Sequence, residues 1–225
     1  MGERVVAVTG GHGVLGRAVV EAALARGWRV AVIDHAMGHS APDGALEIGG
    51  VDLTDPAQAD AAVGRVVERF GRLDAVLNIA GGFVWQTADD AAPAWERMFA
   101  LNLSTALHAS RAALPHLKAS DAGRIVNVGS AAALKAGAGM GAYGASKAAV
   151  HALTQSLAEE LKTTAVTVNA VLPSIIDTPA NRADMPDADP AQWVAPADLA
   201  AVILFLASPE SRAMTGALVP VTGRV

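Results

Sequence analysis

Four glycines fall within the eight residues 9–16, which read TGGHGVLG and directly follow the apolar run at residues 5–8. Glycine loses much backbone entropy on folding, so such a cluster is expected only where a side chain would block a close approach or where φ must be positive. The residues that follow, 15–25, have the apolar spacing of a helix. The cluster therefore predicts a tight turn between a strand and a helix, with another group lying against its backbone.

Short β-branched runs alternate with longer alanine-rich segments that have helical spacing. The runs lie at residues 5–8, 30–33, 75–79, 125–128, 166–171 and 218–221, with a further short strand expected near 46–51. The helical segments lie at residues 15–25, 56–70, 93–117, 142–161 and 196–206. This alternation predicts an α/β fold, a Rossmann-type doubly wound parallel sheet of about seven strands with helices on both faces.

The composition is typical of one globular domain. The chain has 225 residues, of which 52% are hydrophobic and 17% are charged, which excludes a disordered chain and fits a sheet buried on both faces. We therefore expect a single domain over residues 1–225. Residues 173–196 have no regular pattern, and because loops of that length are uncommon unless functional, they are interpreted as a substrate lid.

Charge and residue usage exclude several classes of function. The net charge is −5 and the chain has no basic block, so no nucleic-acid or membrane partner is expected. The absence of cysteine excludes disulfides, thiolate zinc sites and cysteine nucleophiles. The six histidines show no ligand spacing, so no metal site is expected. Without a signal peptide or a long apolar segment, a cytoplasmic protein is expected.

The glycine turn matches a dinucleotide fingerprint. Gly11-x-Gly13-x-x-Gly16 lies between a predicted strand and a predicted helix, which is the context that the fingerprint requires. Backbone N–H groups at a helix start, together with the positive end of the helix dipole, can receive a pyrophosphate. The alternative is a tight turn that simply needs glycine.

An acidic residue closes the second predicted strand. Asp34 lies 18 residues beyond Gly16, where its carboxylate could hold both adenosine ribose hydroxyls and repel a 2′-phosphate. NAD is therefore predicted as cofactor in preference to NADP. NADP remains possible, because His12 or Arg17 could offset the repulsion.

Three polar residues in the second half point to proton transfer. Tyr143 and Lys147 are four residues apart, on one face of the predicted helix 142–161. A phenol with a pKa near 10 becomes a useful base only if nearby cations stabilise its anion, and the lysine could contribute to this. Ser130 follows the strand at 125–128, at the sheet edge where such folds bind ligands, and could donate to a carbonyl oxygen.

Together these motifs resemble the short-chain dehydrogenase/reductase family, and the resemblance covers essentially the whole chain. Asn102, in the segment LNL, corresponds to the family's active-site asparagine. The resemblance implies a catalytic tetrad of Asn102, Ser130, Tyr143 and Lys147. It also implies hydride transfer between the nicotinamide of NAD and a small-molecule carbonyl or alcohol. The expected cofactor-binding residues are Gly10, Gly11, Gly13, Val14, Leu15, Gly16, Asp34, Asp52, Leu53, Asn78, Ala80, Gly81, Tyr143, Lys147, Pro173, Ile176 and Thr178.

Two other functions stay open. The stretches GGHGVLG and LPSIIDTPANRADMPDADPAQW also resemble the dihydropteridine reductase branch of the family, although that branch typically lacks the serine and asparagine present here. A catalytically silent dinucleotide sensor or scaffold would keep the fold without turnover. The chain also departs from the family pattern at two positions. Val14 stands where a glycine is usual, and Ser174 stands where a glycine usually follows the proline, Pro173.

The surroundings of the site allow two further expectations. Helices 93–117 and 142–161 carry small and apolar residues around much of their circumference, which must be covered by something. Family members commonly pair these helices, so a homo-oligomer is expected, either a tetramer or a dimer.

Phe83, Trp85 and Gln86 could wall the substrate, with Met185 and Trp193 closing from residues 173–196. The same aromatics could equally be packing residues.

Overall fold

Seven parallel strands form one sheet in the computed structural model, which describes residues 3–90 and 93–225. The strand order is β3-β2-β1-β4-β5-β6-β7. The predicted doubly wound sheet of seven strands is confirmed, and most strand ends fall within two residues of the predicted ones. The strands are β1 Val5–Thr9, β2 Arg29–Ile33, β3 Leu46–Ile48, β4 Ala75–Asn78, β5 Arg124–Val128, β6 Thr167–Pro173 and β7 Leu218–Val221.

Helices connect the strands and cover both faces of the sheet. They are α1 Val14–Ala25, α2 Pro56–Phe70, α3 Pro93–Phe99, α4 Thr105–Lys118, α5 Gly141–Leu161, α6 Pro179–Asp184 and α7 Pro196–Leu206. The single helix expected over residues 93–117 is wrong in one respect, because a π-helical segment, Ala100–Ser104, separates α3 from α4. Such wide turns are frequent at functional sites, and this one contains Asn102.

Alternate strand residues supply two separate cores. In β1, Val5 and Ala7 belong to the core that packs against α2, α4 and α5. Val6 and Val8 belong to the core against α1 and α7. Side chains of a strand alternate between the faces of the sheet, so a strand that is apolar at every position must be buried on both sides. The apolar runs of the sequence therefore report the three-layer architecture directly.

Residues 173–196 are more regular than the sequence pattern indicates, and the prediction of an irregular segment is wrong. Thr178 accepts a hydrogen bond from the Asn181 N–H at the start of α6, and a 3₁₀ turn follows at Pro190–Gln192. A β-bridge joins Ile176 to Val194. Both short helical pieces begin with proline after a polar cap, which is a local signal for a helix start. The role of the segment as a lid stays a prediction.

The strand order creates a crevice at the carboxyl edge of the sheet. β1 and β4 are neighbours, but the chain leaves β1 for a helix on one face and β4 for helices on the other. Ligands of open α/β sheets bind where the connections diverge in this way.

Candidate active site

An open cleft of about 800 Å³ lies at this divergence point. It is bordered by residues from the ends of β1, β2, β4 and β5 and from the start of α5. Fourteen of the predicted site residues border it: Gly10, Gly13, Val14, Leu15, Gly16, Asp34, Asp52, Leu53, Ala80, Gly81, Tyr143, Lys147, Ile176 and Thr178.

Five predicted site residues lie behind the cleft wall. Gly11 faces Val32 of β2, and Pro173 is buried at the end of β6. The Asn78 amide donates to Asn127 Oδ1 at 2.8 Å and to Ser110 Oγ at 2.9 Å, within the core. Asn102 and Ser130 are also buried, and their contacts with the residues that border the cleft are described below.

The glycine turn leaves the amino end of α1 open toward the cleft. Gly13 is the N-cap residue, and no side chain caps the helix. The first N–H groups of a helix have no acceptor within the helix, and the dipole there favours an anion. The 12-residue helix α1 borders the cleft through Val14, Leu15 and Gly16. These features fit the pyrophosphate of a dinucleotide.

Gly16 is required by close packing inside the same turn. A Cβ atom on Gly16 would overlap the Gly10 carbonyl oxygen and lie 2.7 Å from the Gly11 Cα atom. Both contacts are with backbone, which cannot rotate away as a side chain can. Only glycine lets α1 start this close to the end of β1.

Asp34 borders the cleft at the expected adenosine end, and His12 links it to a second acidic residue, Glu47. Asp34 Oδ2 accepts the His12 backbone N–H at 2.9 Å, and Asp34 Oδ1 accepts the Ala36 N–H at 2.9 Å. The imidazole of His12, which the sequence offered as an offset to Asp34, lies 3.0 Å from Glu47 Oε1 instead. His12 is therefore paired with an acid of its own, a contact that the sequence pattern did not reveal.

The loop after β3 is held by local hydrogen bonds. Asp52 Oδ1 accepts from both the N–H and the hydroxyl of Thr54, and these bonds lower the pKa of the Asp52 carboxyl. The His108 ring donates to the Leu53 carbonyl oxygen at 3.0 Å. Asp52 and Leu53, two of the predicted cofactor-binding residues, are thereby fixed at the cleft border.

Ser130, Tyr143 and Lys147 converge at the other end of the cleft. The Ser130 side chain is near enough to the Tyr143 phenol to lower the pKa of that phenol, and Ser130 Oγ accepts the Ala132 N–H at 3.1 Å. Lys147 Nζ donates to the Val128 carbonyl oxygen at 2.8 Å and lies 5.9 Å from the centre of the Tyr143 ring. The three side chains that the sequence grouped together are brought together by the end of β5 and the first turns of α5.

Burial dominates the electrostatics of this group. Desolvation raises the pKa of the Tyr143 phenol, and the Ser130 side chain opposes the rise only in part. Desolvation also lowers the pKa of Lys147 from 10.5 to about 8. The protein's own groups therefore favour the protonated phenol, which is the form that donates a proton to a carbonyl oxygen.

Asn102 and Ser146 hold the wall beside Lys147. Asn102 Oδ1 accepts the Gly82 N–H at 2.9 Å, and its amide donates to Gly82 O at 3.1 Å and to Ser146 Oγ at 3.0 Å. The Ser146 hydroxyl in turn donates to the Tyr143 carbonyl oxygen at 2.8 Å. Ser146 was not predicted as a site residue, although its place next to Lys147 in the helix is a usable signal.

His151 is a second residue that sequence reasoning left out of the site. Its Nε2 accepts the Ser130 N–H at 3.3 Å. Burial and the nearby Lys147 charge both lower the pKa of His151, which keeps Nε2 free of a proton and able to accept. The side chain positions Ser130 rather than touching the cleft. Its spacing of four from Lys147 on α5 was the available signal.

Two polar contacts hold the predicted cofactor-binding residues Ile176 and Thr178. The Asn181 side-chain amide donates to the Ile176 carbonyl oxygen at 2.8 Å, and the Asn181 N–H donates to Thr178 Oγ1 at 3.1 Å. Trp193, expected to close over the substrate, is instead buried and is absent from the cleft border. Its backbone lies against Gly223.

A second concavity, of about 700 Å³, lies at the opposite edge of the sheet. Its ionic groups are committed to the protein. The Arg4 guanidinium donates to the Asp74 and Ala122 carbonyl oxygens, and the Arg72 guanidinium pairs with the Asp74 carboxylate at 2.6 Å. We interpret it as a structural feature of the amino ends of the strands.

Replacing Lys147 with methionine should change how stability depends on pH. Because the pKa of Lys147 is lowered from 10.5 to about 8 in the folded protein, the unfolded chain binds more protons between those values. The wild type should therefore gain stability relative to Lys147→Met as pH rises through this window, by up to about 3 kcal/mol. Denaturant unfolding of the dinucleotide-free proteins between about pH 7 and about pH 10.5 measures the difference. Parallel curves would contradict the buried ammonium.

Comparison with known proteins agrees with this arrangement. Residues 4–189 match the short chain dehydrogenase family. The 2-(S)-hydroxypropyl-CoM dehydrogenase 3 of Xanthobacter autotrophicus is 33% identical over 242 residues, which cover 97% of this chain and 95% of the relative. The cyclohexanol dehydrogenase of Rhodococcus sp. is 34% identical over 257 residues, covering 98% and 95%. The ligand-free aldohexose dehydrogenase of Thermoplasma acidophilum superposes with a TM-score of 0.88 at 28% identity, covering 99% and 93%.

The chain belongs to the short-chain dehydrogenase/reductase family. It is an NAD(P)-dependent oxidoreductase that transfers a hydride between the nicotinamide and a carbonyl or alcohol carbon. In the part of the chain that the structure describes, no helix is both long and apolar enough to cross a membrane.

Proposed function

We propose that this enzyme uses NAD(H) to interconvert a ketone and a secondary alcohol at the Tyr143 end of the cleft. The observation that carries the proposal is that Tyr143 and Lys147 border the same cleft as the glycine turn, with the Ser130 side chain near enough to the phenol to oppose the rise in its pKa. Two O–H groups so placed can serve one substrate oxygen. The uncapped start of α1 can hold the dinucleotide.

In the reducing direction the residues have distinct roles. The phenol of Tyr143 donates its proton to the carbonyl oxygen as that oxygen gains negative charge. The Ser130 hydroxyl accepts the Ala132 N–H, so its hydrogen is directed elsewhere and can donate to the same oxygen. The glycine turn would hold the dinucleotide, whose chemistry would be the supply of a hydride for the carbonyl carbon. The Lys147 ammonium, 5.9 Å from the centre of the ring, stabilises the phenolate that is left until a proton from solvent restores the phenol, and Asn102 supports the wall against which Lys147 lies.

The preference for NAD(H) over NADP(H) follows from charge at the adenosine end. A 2′-phosphate there would meet the carboxylate of Asp34, and placing like charges together costs several kcal/mol. His12 does not compensate, because its ring is paired with Glu47. We infer a preference for NADH over NADPH of at least about tenfold in kcat/KM.

A substrate panel tests the function. Ketones, aldehydes, secondary alcohols and a quinonoid pterin are each assayed with NADH or NADPH for reduction and with the oxidised forms for oxidation. The expected result is NADH-dependent reduction of ketones and the reverse reaction with secondary alcohols. The ratio of kcat/KM with NADH to kcat/KM with NADPH tests the charge argument in the same experiment.

Each other outcome selects a different function. Turnover of the pterin alone would establish the dihydropteridine reductase alternative. Dinucleotide binding without turnover of any compound would establish a silent sensor or scaffold. Failure to bind either dinucleotide would overturn all three readings.

We also propose that the enzyme is a homo-oligomer. Leu107 on α4 is more than a third exposed. This agrees with the sequence, in which apolar residues lie around much of this helix. Sedimentation of the purified protein distinguishes monomer, dimer and tetramer. Residence in the cytoplasm stays a prediction of the sequence.

A further inference from the structure

We propose that the substrate is uncharged next to the reacting carbon and carries a bulky apolar group, an aromatic or alicyclic ring, that packs on an apolar wall beside Tyr143. The wall consists of Phe83, which borders the cleft, and of two exposed apolar side chains outside that border, Trp85 and Leu134. This inference rests on the proposed function, because it assigns the substrate class of that same site.

Phe83 connects the wall to the reacting hydroxyl. Its ring meets the Tyr143 ring edge to face, with the ring centres 5.0 Å apart and an angle of 84° between the planes. Phe83 borders the cleft, yet 52% of its surface is exposed. The residue therefore presents apolar surface to the same space into which the phenol must donate its proton.

Trp85 is exposed but fixed in place. Its surface is 60% exposed, while its indole N–H donates to the Ala138 carbonyl oxygen at 3.1 Å. Gly139 has a φ of +74°, and a Cβ atom there would overlap the indole ring. The indole is thus seated against the backbone of the turn that precedes α5.

A backbone hydrogen bond ties the two segments of the wall together. The Gln86 N–H donates to the Gly139 carbonyl oxygen at 2.8 Å, so the stretch carrying Phe83 and Trp85 is joined to the connection between Ser130 and α5. Leu134 lies on that connection, four residues after Ser130, and is 67% exposed. Holding a large side chain in one position costs conformational entropy. An apolar ligand that covers the wall would offset that cost by removing the surface from water.

The charges around the cleft argue against a substrate with an anionic group near the reacting carbon. Asp34 and Asp52 border the expected adenosine end, and Lys147 is buried with its ammonium on the Val128 carbonyl. On the segment 173–196, the Arg182 guanidinium makes two bonds to the Asp177 carboxylate, at 2.6 and 2.8 Å. Lys135, next to Leu134, is the exposed cation nearest in sequence to the wall, and it is included in the test.

The test compares ketones of different size in wild type and Trp85→Ala. With saturating NADH, kcat/KM for acetophenone and cyclohexanone should fall by about tenfold to a hundredfold in the variant, while 2-butanone changes by less than about threefold. Phe205→Ala is the matched control, because Phe205 is an exposed aromatic residue that borders the concavity at the opposite edge of the sheet. Phe205→Ala should leave kcat/KM unchanged for all three ketones.

A binding measurement separates this inference from the proposed function. Acetophenone added to the enzyme with NAD⁺, where no hydride is available for reduction, should change the tryptophan fluorescence in wild type and not in Trp85→Phe. The conservative variant keeps an aromatic ring, so it also tests whether turnover depends on the apolar surface or on the indole itself. If no ketone is turned over but the fluorescence changes, the proposed function fails and the apolar site stands.

Three results would overturn the inference. One is a higher kcat/KM for a 2-oxo acid than for acetophenone, lost in Lys135→Ala, because it would assign recognition to a charge. Another is an equal loss in Trp85→Ala for small and large ketones. The third is a change of oligomeric state in Trp85→Ala with unaltered kinetics, which would assign the wall to a contact between subunits.

Discussion

Tyr143→Phe should lower kcat for ketone reduction by about a thousandfold, within the range expected when a general acid is removed. Only the hydroxyl is lost, because the phenylalanine ring keeps the edge-to-face contact with Phe83 and the packing beside Met98 and Ala142. Dinucleotide affinity should therefore change by less than about threefold. Steady-state turnover and a fluorescence titration with NADH measure the two quantities separately.

The same residue offers a direct control. Tyr143 is the one tyrosine of the chain, so the ultraviolet change on phenol ionisation reports that side chain alone. Burial raises its pKa in the protein without dinucleotide, so the midpoint of the ultraviolet transition should lie above pH 10.0. The transition should be absent in Tyr143→Phe. Turnover of the variant within tenfold of wild type would assign the proton transfer to another group.

Gly16→Ala should destabilise the protein by about 2–3 kcal/mol, which is typical of overpacking in a rigid site. The added methyl would overlap the Gly10 carbonyl oxygen and approach the Gly11 Cα atom. The turn must therefore move, and the open start of α1 moves with it. We also expect the affinity for NADH to fall at least tenfold, as measured by titration, with unfolding followed in denaturant.

Gly64→Ala is the matched control for this substitution. Gly64 lies inside α2, and no atom is within 4 Å of the position that a Cβ would take. Alanine there should raise stability by about 0.5–1 kcal/mol, because it restricts the unfolded chain and favours a helix, with NADH affinity unchanged. Equal effects of the two substitutions would show that the close approach at Gly16 is not what makes glycine necessary.

The spacing of apolar residues predicted most of the fold, because strands buried on both faces and helices buried on one side have different, regular patterns. Strands such as β1 are apolar at every position, and helices such as α2 are apolar on one side only. The pattern failed where local geometry departs from a regular repeat. The π-helical segment Ala100–Ser104 keeps helical spacing in sequence, and α6, at six residues, is too short to show a period.

The positions of the candidate site residues could be predicted to a similar extent. Tyr143 and Lys147 share a helix, so their proximity follows from a spacing of four. Ser130 could be placed at the same edge because parallel strands end together. Pairs such as His12 with Glu47, Ser130 with His151 and Asn102 with Ser146 join residues 35, 21 and 44 positions apart. No repeat in the sequence connects them.

The sequence by itself determined the apolar strands and the glycine turn, and it singled out Tyr143 and Lys147 as candidates for proton transfer, since each depends on residue type and on neighbours within a few positions. Only the tertiary structure decided which buried partners hold those side chains, that His12 pairs with Glu47, and that the half-exposed ring of Phe83 lies against the ring of Tyr143. These features arise from packing between segments distant in the chain, where side-chain direction and the exclusion of water set the contacts.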